Sequence, residues 1–457
     1  MTNARLLIAF AAIEFVLFPI PIVTLFWKDQ IGMSLTDIMT LQAAFGLAVA
    51  LFQFPSGYFA DRVGYRASLL VGAALLMAGW LVYTRGTTFW AIAVAETVLG
   101  AASAFMSGAD RALLWVSLET AGRSDRYTRW DGTARAVSQT SEALSAAAGG
   151  WLYTMGPRWP FWLQVPSAVL ALVTAAMLRE TPRRPSVDPR SHARRALHIL
   201  GFTLWHHRRL RAALALNVAL GLSTFVVIWL IQPYMQARGI PTAWFGPLWA
   251  GAHIWLAAVS LASGRVAAAL GARASLLGCC LLVLVGYAGL ALSHVAWGLA
   301  FYLCFMTIRG LQAPILANVM QQDASAEDRA SVLSIAALVF RLSFVVVGPP
   351  IGALVDRAGM ETALGVLAVV LGALALLTFF HDDAGRSSAR RDARARPGAD
   401  LQRAVLRSPA GLHGRPRAQD RSARRRRGAA AQAARRAVPS RDAQLQQGIG
   451  SARFQAS

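Results

Sequence analysis

Long apolar runs separated by short polar segments occupy the first 380 residues of the chain. A helix needs about twenty apolar residues to cross the hydrocarbon core of a bilayer. Strands do not explain the runs, because the strands of a membrane barrel alternate in polarity and open sheet edges are excluded from lipid. The pattern predicts twelve spans, at residues 5–27, 37–59, 67–84, 89–110, 134–155, 159–178, 211–233, 244–268, 273–293, 295–317, 330–354 and 361–380.

Basic residues are distributed unequally between the alternate loops that join these spans. If the N-terminus is cytoplasmic, most of the loop arginines fall on the cytoplasmic side. The outer loops then contain only Lys28, Arg85, Arg158, Arg238 and Arg357. The positive-inside rule therefore places both termini in the cytoplasm.

The longest internal connection divides the spans into two sets of six. The predicted organisation is an N-terminal six-helix bundle at 1–178, a cytoplasmic central loop at 179–210, a C-terminal six-helix bundle at 211–380 and a disordered arginine-rich cytoplasmic tail at 381–457. Within the loop, Leu197 to Leu210 could form an amphipathic helix on the inner leaflet, although a solvated linker is the simpler interpretation. The tail could bind anionic lipid, have no task, or arise from a shifted reading frame.

Composition supports a membrane protein. The chain is 56% hydrophobic and 15% charged, with a mean hydropathy of +0.45, whereas a soluble domain carries roughly 25% charged residues. The net charge of +22 would suggest nucleic acid in a soluble protein. Here topology accounts for it, and no nucleic-acid partner is predicted. Cys279, Cys280 and Cys304 lie in apolar runs without metal-ligand spacing, so we expect buried reduced thiols and no metal or cofactor.

A glycine- and arginine-containing loop separates the second and third predicted spans. It reads Gly57-Tyr-Phe-Ala-Asp61-Arg62-Val-Gly64-Tyr-Arg66. Gly57 allows close helix contact, Gly64 permits a tight turn, and Asp61 can accept hydrogen bonds from a helix N-terminus. The loop resembles the signature loop of the major facilitator superfamily, a G-x-x-x-D-R-x-G-x-R pattern. The alternative is a basic loop that merely obeys the positive-inside rule.

The second half contains a degenerate copy of this loop. A shift of 207 residues places the copy at Gly264, with Gly271 and Arg273 at the positions of the later glycine and arginine. Ala268 replaces Asp61, so the copy keeps the turn and loses the acid. Two related six-helix halves are typical of this superfamily.

The resemblance covers about residues 1–380. It implies an all-α integral membrane protein with two pseudo-symmetric six-helix bundles that rock about a central site. It also implies that the signature loop latches the halves together on the cytoplasmic side in the outward-open state. Asp61 would be the acceptor in this latch, with the start of the eleventh span, near Arg329 to Ser331, as its partner.

Candidate functional residues are ionisable side chains well inside predicted spans, where an unpaired charge is costly. They are Glu14, Glu96, Glu142, Arg309 and Arg341. Because the first, fourth, seventh and tenth helices line the cavity in this superfamily, Glu14, Glu96 and Arg309 are the stronger candidates. A carboxylate there could carry a proton and an arginine could bind an anionic group. The alternative is a structural ion pair between Arg309 and one of these acids.

Asp110 and Arg111 lie at the cytoplasmic end of the fourth span. We predict that they form a cytoplasmic gate with Asp61, Arg62 and the rest of the signature loop. The alternative is that both are snorkelling charges at the membrane interface.

Prolines predict distortion in two spans. Pro19 and Pro21 indicate a bent first span, and Gly348-Pro349-Pro350-Ile-Gly352 indicates a kink or a close-packing point in the eleventh. Drug–proton antiporters of the superfamily carry a G-P-x-x-G pattern in the fifth helix. The fifth span lacks a proline, and this departure weakens an antiporter assignment.

These features predict a carrier that moves a small organic solute by alternating access, with proton-coupled efflux of amphiphilic compounds as one form. The expected protein is a multi-pass monomer of the inner cell membrane, whose partners are an unidentified solute, protons and lipid. A transport-inactive sensor or scaffold is the alternative. A membrane-embedded enzyme ranks last, because no loop contains a metal-ligand set or a clustered His/Asp constellation.

Overall fold

The computed structural model describes residues 2–181, 208–322 and 329–394, and every regular element within these ranges is helical. Most of the predicted central loop, including residues 197–207, and the tail from residue 395 lie outside the described residues. The principal helices are α1 Thr2–Glu14, α2 Leu35–Arg62, α3 Tyr65–Arg85, α4 Phe89–Met106, α5 Ala109–Thr120, α6 Tyr127–Met155, α7 Trp159–Met177, α8 Arg208–Ala237, α9 Phe245–Leu270, α10 Ala272–Leu292, α11 Tyr302–Gln322, α12 Arg329–Ala358 and α13 Met360–Arg394.

Among the described residues, ten helical segments are long and apolar enough to cross a membrane. They correspond to every predicted span except the first and the fifth. The first span is interrupted after Glu14. The fifth, α6, has 29 residues but contains many serines, threonines and charged residues, which lower its hydropathy. The prediction of an all-helical membrane protein is therefore confirmed, with ten candidate spans.

The two ends of the helix bundle differ in charge. We call the end that contains Arg62, Arg66 and Arg123 the basic end, and the opposite end the distal end. At the basic end the Asn3 side chain donates to the carbonyl of Arg179 (2.8 Å) and accepts from its N–H (3.0 Å). This pair of hydrogen bonds joins the start of α1 to the residues after α7.

The first span is discontinuous. Helix α1 ends at Glu14, residues 15–22 are not helical, and a short turn at Val23–Leu25 continues into a π-helix at Phe26–Gln30. Pro19 and Pro21 lie in the interruption, where each removes a backbone donor and excludes a continuous helix. The distortion is thus larger than the predicted bend.

Glutamine and serine side chains bind the backbone of this interruption. Gln164 of α7 accepts from the N–H of Phe18 (3.2 Å) and donates to the carbonyl of Val16, and Ser145 of α6 accepts from the N–H of Leu17 (2.8 Å). These bonds satisfy groups that would otherwise be unpaired in a dry interior.

Candidate functional site

The N-terminal and C-terminal halves contact each other at the distal end. Gln232 of α8 donates to the carbonyl of Ile20 and accepts from the N–H of Thr24, both at 2.9 Å. Trp27 stacks on Trp229 with ring centroids 5.8 Å apart. The interrupted first span is therefore part of the distal contact between the halves.

Ion pairs and hydrogen bonds extend this contact towards the surface. Gln236 of α8 accepts from the ammonium group of Lys28 (2.9 Å) and donates to the carboxylate of Asp29 (2.7 Å). Helices α6 and α9 approach so closely that a Cβ added to Gly246 would overlap the carbonyl of Ala146. This close approach excludes a solute path between α6 and α9 at the distal end.

Helices α2 and α9 are exposed towards the basic end. On α2, residues 51–55 are all exposed, with Leu51 63% and Phe54 56% accessible. On α9, Leu261 is 87% accessible. Because consecutive helical residues point in different directions, a run of exposed positions means that both faces of α2 are uncovered. The space between the halves, which we call the cavity, is therefore accessible beside residues 51–55 of α2, whereas the halves are in contact at the distal end.

Glu142 and Arg309 lie near each other, although they belong to different halves. Glu142 lies on α6 and Arg309 on α11, within the range in which their charges interact, and Gln139 donates to Glu142 at 3.3 Å. Sequence reasoning proposed Glu14 or Glu96 as the partner of Arg309, whereas the carboxylate near enough to interact with it is Glu142. The two halves thus contribute opposite charges to the same region.

His253 of α9 also lies near Arg309, and sequence reasoning missed it. Its ring stacks on Trp249 with centroids 4.8 Å apart, and its Nδ1 is 3.0 Å from the Trp249 carbonyl oxygen. The sequence signal is a histidine inside an apolar span, which is as costly as any other intramembrane polar group. Arg341 is half-buried on α12.

Glu14 is the last residue of α1 and is half-buried. No described side chain forms a hydrogen bond with its carboxylate. Asp110 and Arg111 are near enough to interact with it electrostatically. Glu14 is therefore a carboxylate within the predicted first span that has charged neighbours and, among the described side chains, no fixed donor.

Glu96 has a different environment, because its side chain is only 6% exposed and fully hydrogen-bonded. Tyr83 donates its hydroxyl to one carboxylate oxygen and Gln42 donates to the other at 3.1 Å. The indole N–H of Trp27 donates to Tyr83 at 3.2 Å. Glu96 thus lies in the core of the N-terminal half and connects, through Tyr83 and Trp27, to the Trp27–Trp229 stack.

Asp110 and Arg111 begin α5, which a break at Gly108 (φ 89°) separates from α4. Arg111 lies 3.9 Å from Asp131 of α6, and Asp131 also binds Arg135 at 2.9 Å. Sequence reasoning did not include Asp131, although its spacing of four residues from Arg135 on one helix indicates a pair. The structure therefore connects Arg111 to α6.

The signature loop is a tight turn between α2 and α3. Gly64 adopts φ 152°, and the carboxylate of Glu180 accepts from the N–H groups of Tyr65 (3.2 Å) and Arg66 (3.0 Å). The guanidinium of Arg66 donates to the carbonyl of Ala176 at 2.9 Å. These contacts hold the loop to the residues that end the N-terminal half.

Asp61 and Arg62 are exposed at the basic end, and Arg62 lies over the Tyr58 ring, 5.4 Å from its centroid. A Cβ added to Gly57 would meet no atom within 4 Å. The side chains of the predicted partner, Arg329 to Ser331, lie outside the described residues. The open space around Gly57 agrees with separation of the halves at this end.

An apolar cavity of about 540 Å³ lies in the C-terminal half. Its walls come from α8, α9 and the start of α11, and they include Trp249, Trp255 and Tyr302. Trp249 also stacks on His253, so the apolar cavity adjoins the charged region around Arg309. Among the described residues, no group of three or more His, Cys, Asp or Glu side chains is placed to hold a metal ion.

Comparisons with known sequences agree with this architecture. Residues 6–346 match the model of a family described as the Major Facilitator Superfamily. The quinolone resistance protein NorA of Staphylococcus aureus is 23% identical over 211 residues, which cover 46% of this chain and 52% of that protein. The alignment thus spans about half the length of this relative.

Comparisons with solved structures cover more of the chain. The nucleoside transporter NupG superimposes with a TM-score of 0.70 at 11% identity, covering 84% of this chain and 99% of that structure. A POT family transporter in complex with a thioalcohol-conjugated peptide gives a TM-score of 0.63 at 13% identity, covering 83% and 95%. At these identities the likeness is one of fold.

Proposed function

Since the chain belongs to the major facilitator superfamily, we propose that it carries a small organic solute across the inner cell membrane by alternating access. The proposed topology has twelve spans in two bundles, residues 1–178 and 211–380, with both termini cytoplasmic. The arginines of the basic end support this orientation, because cytoplasmic loops carry the excess of basic residues. The basic end then faces the cytoplasm.

One observation carries the proposal. The halves are joined at the distal end, by Gln232, Gln236 and the Trp27–Trp229 stack, and they separate at the basic end. A cavity open at one end is one of the two states that alternating access requires, and rocking of the halves would produce the other. In the proposed orientation the structure is inward-open.

The lining of the cavity supports an amphiphilic solute. Arg309 can bind an anionic group, Glu142 can bind a cationic one, and the apolar cavity beside Trp249 can receive an apolar part. The partial likeness to a protein named for quinolone resistance supports export of a drug-like organic compound. Glu14 is the proposed proton carrier, because it is a carboxylate inside a span with no fixed donor.

The sensor or scaffold alternative is not favoured. A scaffold needs no charged groups in its interior, and such groups are costly in a membrane. Glu142 of one half and Arg309 of the other are near enough to interact electrostatically. The family is one of transporters, so a membrane-embedded enzyme is not favoured either.

Uptake into proteoliposomes tests the proposed function. The purified full-length protein is reconstituted, and a panel of labelled amphiphiles is presented with and without an imposed proton gradient. We expect at least one compound to move faster than through protein-free vesicles, with accumulation that depends on the gradient. If no compound moves and none shifts the melting temperature of the protein, the proposal is wrong.

Asp61→Asn tests the signature loop. We expect the variant to insert normally and to transport at least about tenfold more slowly, because an amide loses the charge that a helix N-terminus favours. The measurement is initial uptake normalised to membrane abundance. Asp125→Asn is the matched control, since Asp125 is an exposed acid at the same end. Normal transport by Asp61→Asn would show that Asp61 is not part of the gate.

Truncation after His381 tests the proposed tail. The last candidate span ends at Phe380, so the shortened chain retains every apolar helix needed for insertion. We expect unchanged membrane abundance and unchanged uptake. Loss of both would show that residues 382–457 contribute to the folded protein.

A further inference from the structure

A second sequence with the spacing of the signature loop lies at the opposite end of the bundle. Residues Gly352-Ala-Leu-Val-Asp356-Arg357-Ala-Gly359 end α12 and begin the turn to α13. They reproduce the G-x-x-x-D-R-x-G pattern of residues 57–64. This copy is not related to the first by the 207-residue shift between the halves, because it follows the eleventh span rather than the eighth.

Asp356 binds the first turn of α2. Its carboxylate accepts hydrogen bonds from the N–H groups of Leu35 (2.9 Å) and Thr36 (2.8 Å) and from the Thr36 hydroxyl (2.6 Å). These N–H groups have no acceptor within their own helix, and a negative charge is favourable at a helix N-terminus. Because Asp356 belongs to the C-terminal half and α2 to the N-terminal half, these bonds connect the two halves.

The glycines of the two copies have opposite surroundings. A Cβ added to Gly352 would lie 2.5 Å from the carbonyl oxygen of Leu35 and 2.6 Å from the Cα of Thr36. The same atom added to Gly57 would meet nothing within 4 Å. The turn glycines Gly64 (φ 152°) and Gly359 (φ 81°) both have positive φ. The glycine of the distal copy therefore packs against its partner helix, whereas open space surrounds the glycine of the basic copy.

We propose that Gly352–Gly359 is a second signature loop and that Asp356 is the distal latch, the residue that positions α2 against α12 while the distal end is closed. Helices α2 and α12 run in opposite directions, so α12 ends in one copy of the pattern, beside the start of α2, and α2 ends in the other copy. Asp356 holds the first turn of α2 in the state described here. The signature-loop resemblance implies the reciprocal role for Asp61, as the residue that binds the start of α12 when the basic end is closed. This inference rests on the proposed function, since it requires alternating access.

Distance measurements between spin labels test the latch. Labels are placed at Trp90 and Trp297, which are 76% and 69% accessible at the distal ends of the two halves, in a full-length background without native cysteines. In Asp356→Asn we expect the ratio of distal-open to distal-closed populations to rise roughly tenfold, because an amide loses the charge that a helix N-terminus favours and one of the two acceptor oxygens. Glu361→Gln is the control, because Glu361 lies at the same end and binds Arg238 and His294 of its own half. The control should leave the ratio unchanged.

Further variants distinguish a latch from an acid with a merely structural role. Gly352→Ala should open the distal end as Asp356→Asn does, whereas Gly365→Ala, which has open space around it, should not. Asp61→Asn should shift the populations towards distal closure, and the Asp61→Asn/Asp356→Asn double variant should return them near the wild-type ratio. The latch would be contradicted if the two substitutions instead converted both the distal-open and the distal-closed forms to an unfolded form, with effects that add in the double variant.

The outcomes distinguish failure of the latch from failure of the proposed function. If the wild type shows two distal distances whose ratio Asp356→Asn leaves unchanged, or changes no more than Glu361→Gln does, Asp356 is not a latch. If the wild type keeps a single distal distance at every pH and with every transported compound, alternating access itself is wrong.

Discussion

We expect Glu14→Gln to abolish proton-driven accumulation of the solute while downhill movement remains measurable. Glu14 ends α1 inside the first span, and no described side chain holds its carboxylate by a hydrogen bond. A glutamine has nearly the same shape but cannot bind and release a proton. The measurement is the accumulation ratio in proteoliposomes with and without a proton gradient, and the expected change is complete loss of the gradient dependence.

Glu96→Gln and Glu119→Gln complete this experiment. Glu119 is exposed on α5 at the basic end, so its replacement should leave coupling intact. Glu96 is fixed by donors from Tyr83 and Gln42, and an amide there would place its N–H₂ group against a donor. We expect Glu96→Gln to lower thermal stability, since an unsatisfied buried polar group costs about 1–3 kcal/mol. Loss of coupling in Glu96→Gln but not in Glu14→Gln would reverse the assignment.

Gly246→Val should stop transport by holding the distal end apart. A side chain at residue 246 would overlap the backbone of Ala146 and Ala147 on α6, and backbone cannot rotate aside. Overpacking costs about 1–3 kcal/mol, and separation of the halves relieves it. We therefore expect uptake to fall at least about tenfold and the Trp90–Trp297 label distance to lengthen.

Gly251→Val is the matched control for this substitution. Gly251 lies on the same helix, α9, and a Cβ there would meet no atom within 4 Å. The control should therefore transport normally. Normal uptake by both variants would show that α6 and α9 need not approach each other during the cycle.

The sequence predicted the helices well, because lipid imposes a strong constraint on length and composition. The sequence-based prediction was wrong where individual residues affect the helix more strongly than the hydropathy of the span does. The first span was predicted as one helix, but residues 15–22, which include Pro19 and Pro21, are not helical. The fifth was predicted from residue 134, whereas α6 begins at Tyr127, because a helix does not have to end at the membrane surface.

The candidate site was predicted in part. Costly charges inside apolar spans identified Glu142, Arg309 and Glu96 as notable residues. Their partners could not be read from the sequence, because the rotation of each helix and the state of the cavity decide which residues meet. Arg309 is near enough to Glu142 of the other half to interact electrostatically, and Glu96 is enclosed within one half. The sequence repeat did not reveal Asp356, because its copy of the pattern does not occupy the position in the second half that corresponds to residues 57–66.

The interrupted first span bears on how the chain enters the membrane during synthesis. Helix α1 has 13 residues and is about 20 Å long, shorter than the roughly 30 Å hydrocarbon core. The N–H groups of Leu17 and Phe18 find their acceptors on Ser145 and Gln164, which are synthesised more than a hundred residues later. If these N–H groups were exposed to lipid before Ser145 and Gln164 were synthesised, they would have no hydrogen-bond acceptor. We therefore expect the first span to complete its integration only after α6 and α7 have emerged from the ribosome. Until then, residues 15–22 of the nascent chain must stay out of the hydrocarbon core.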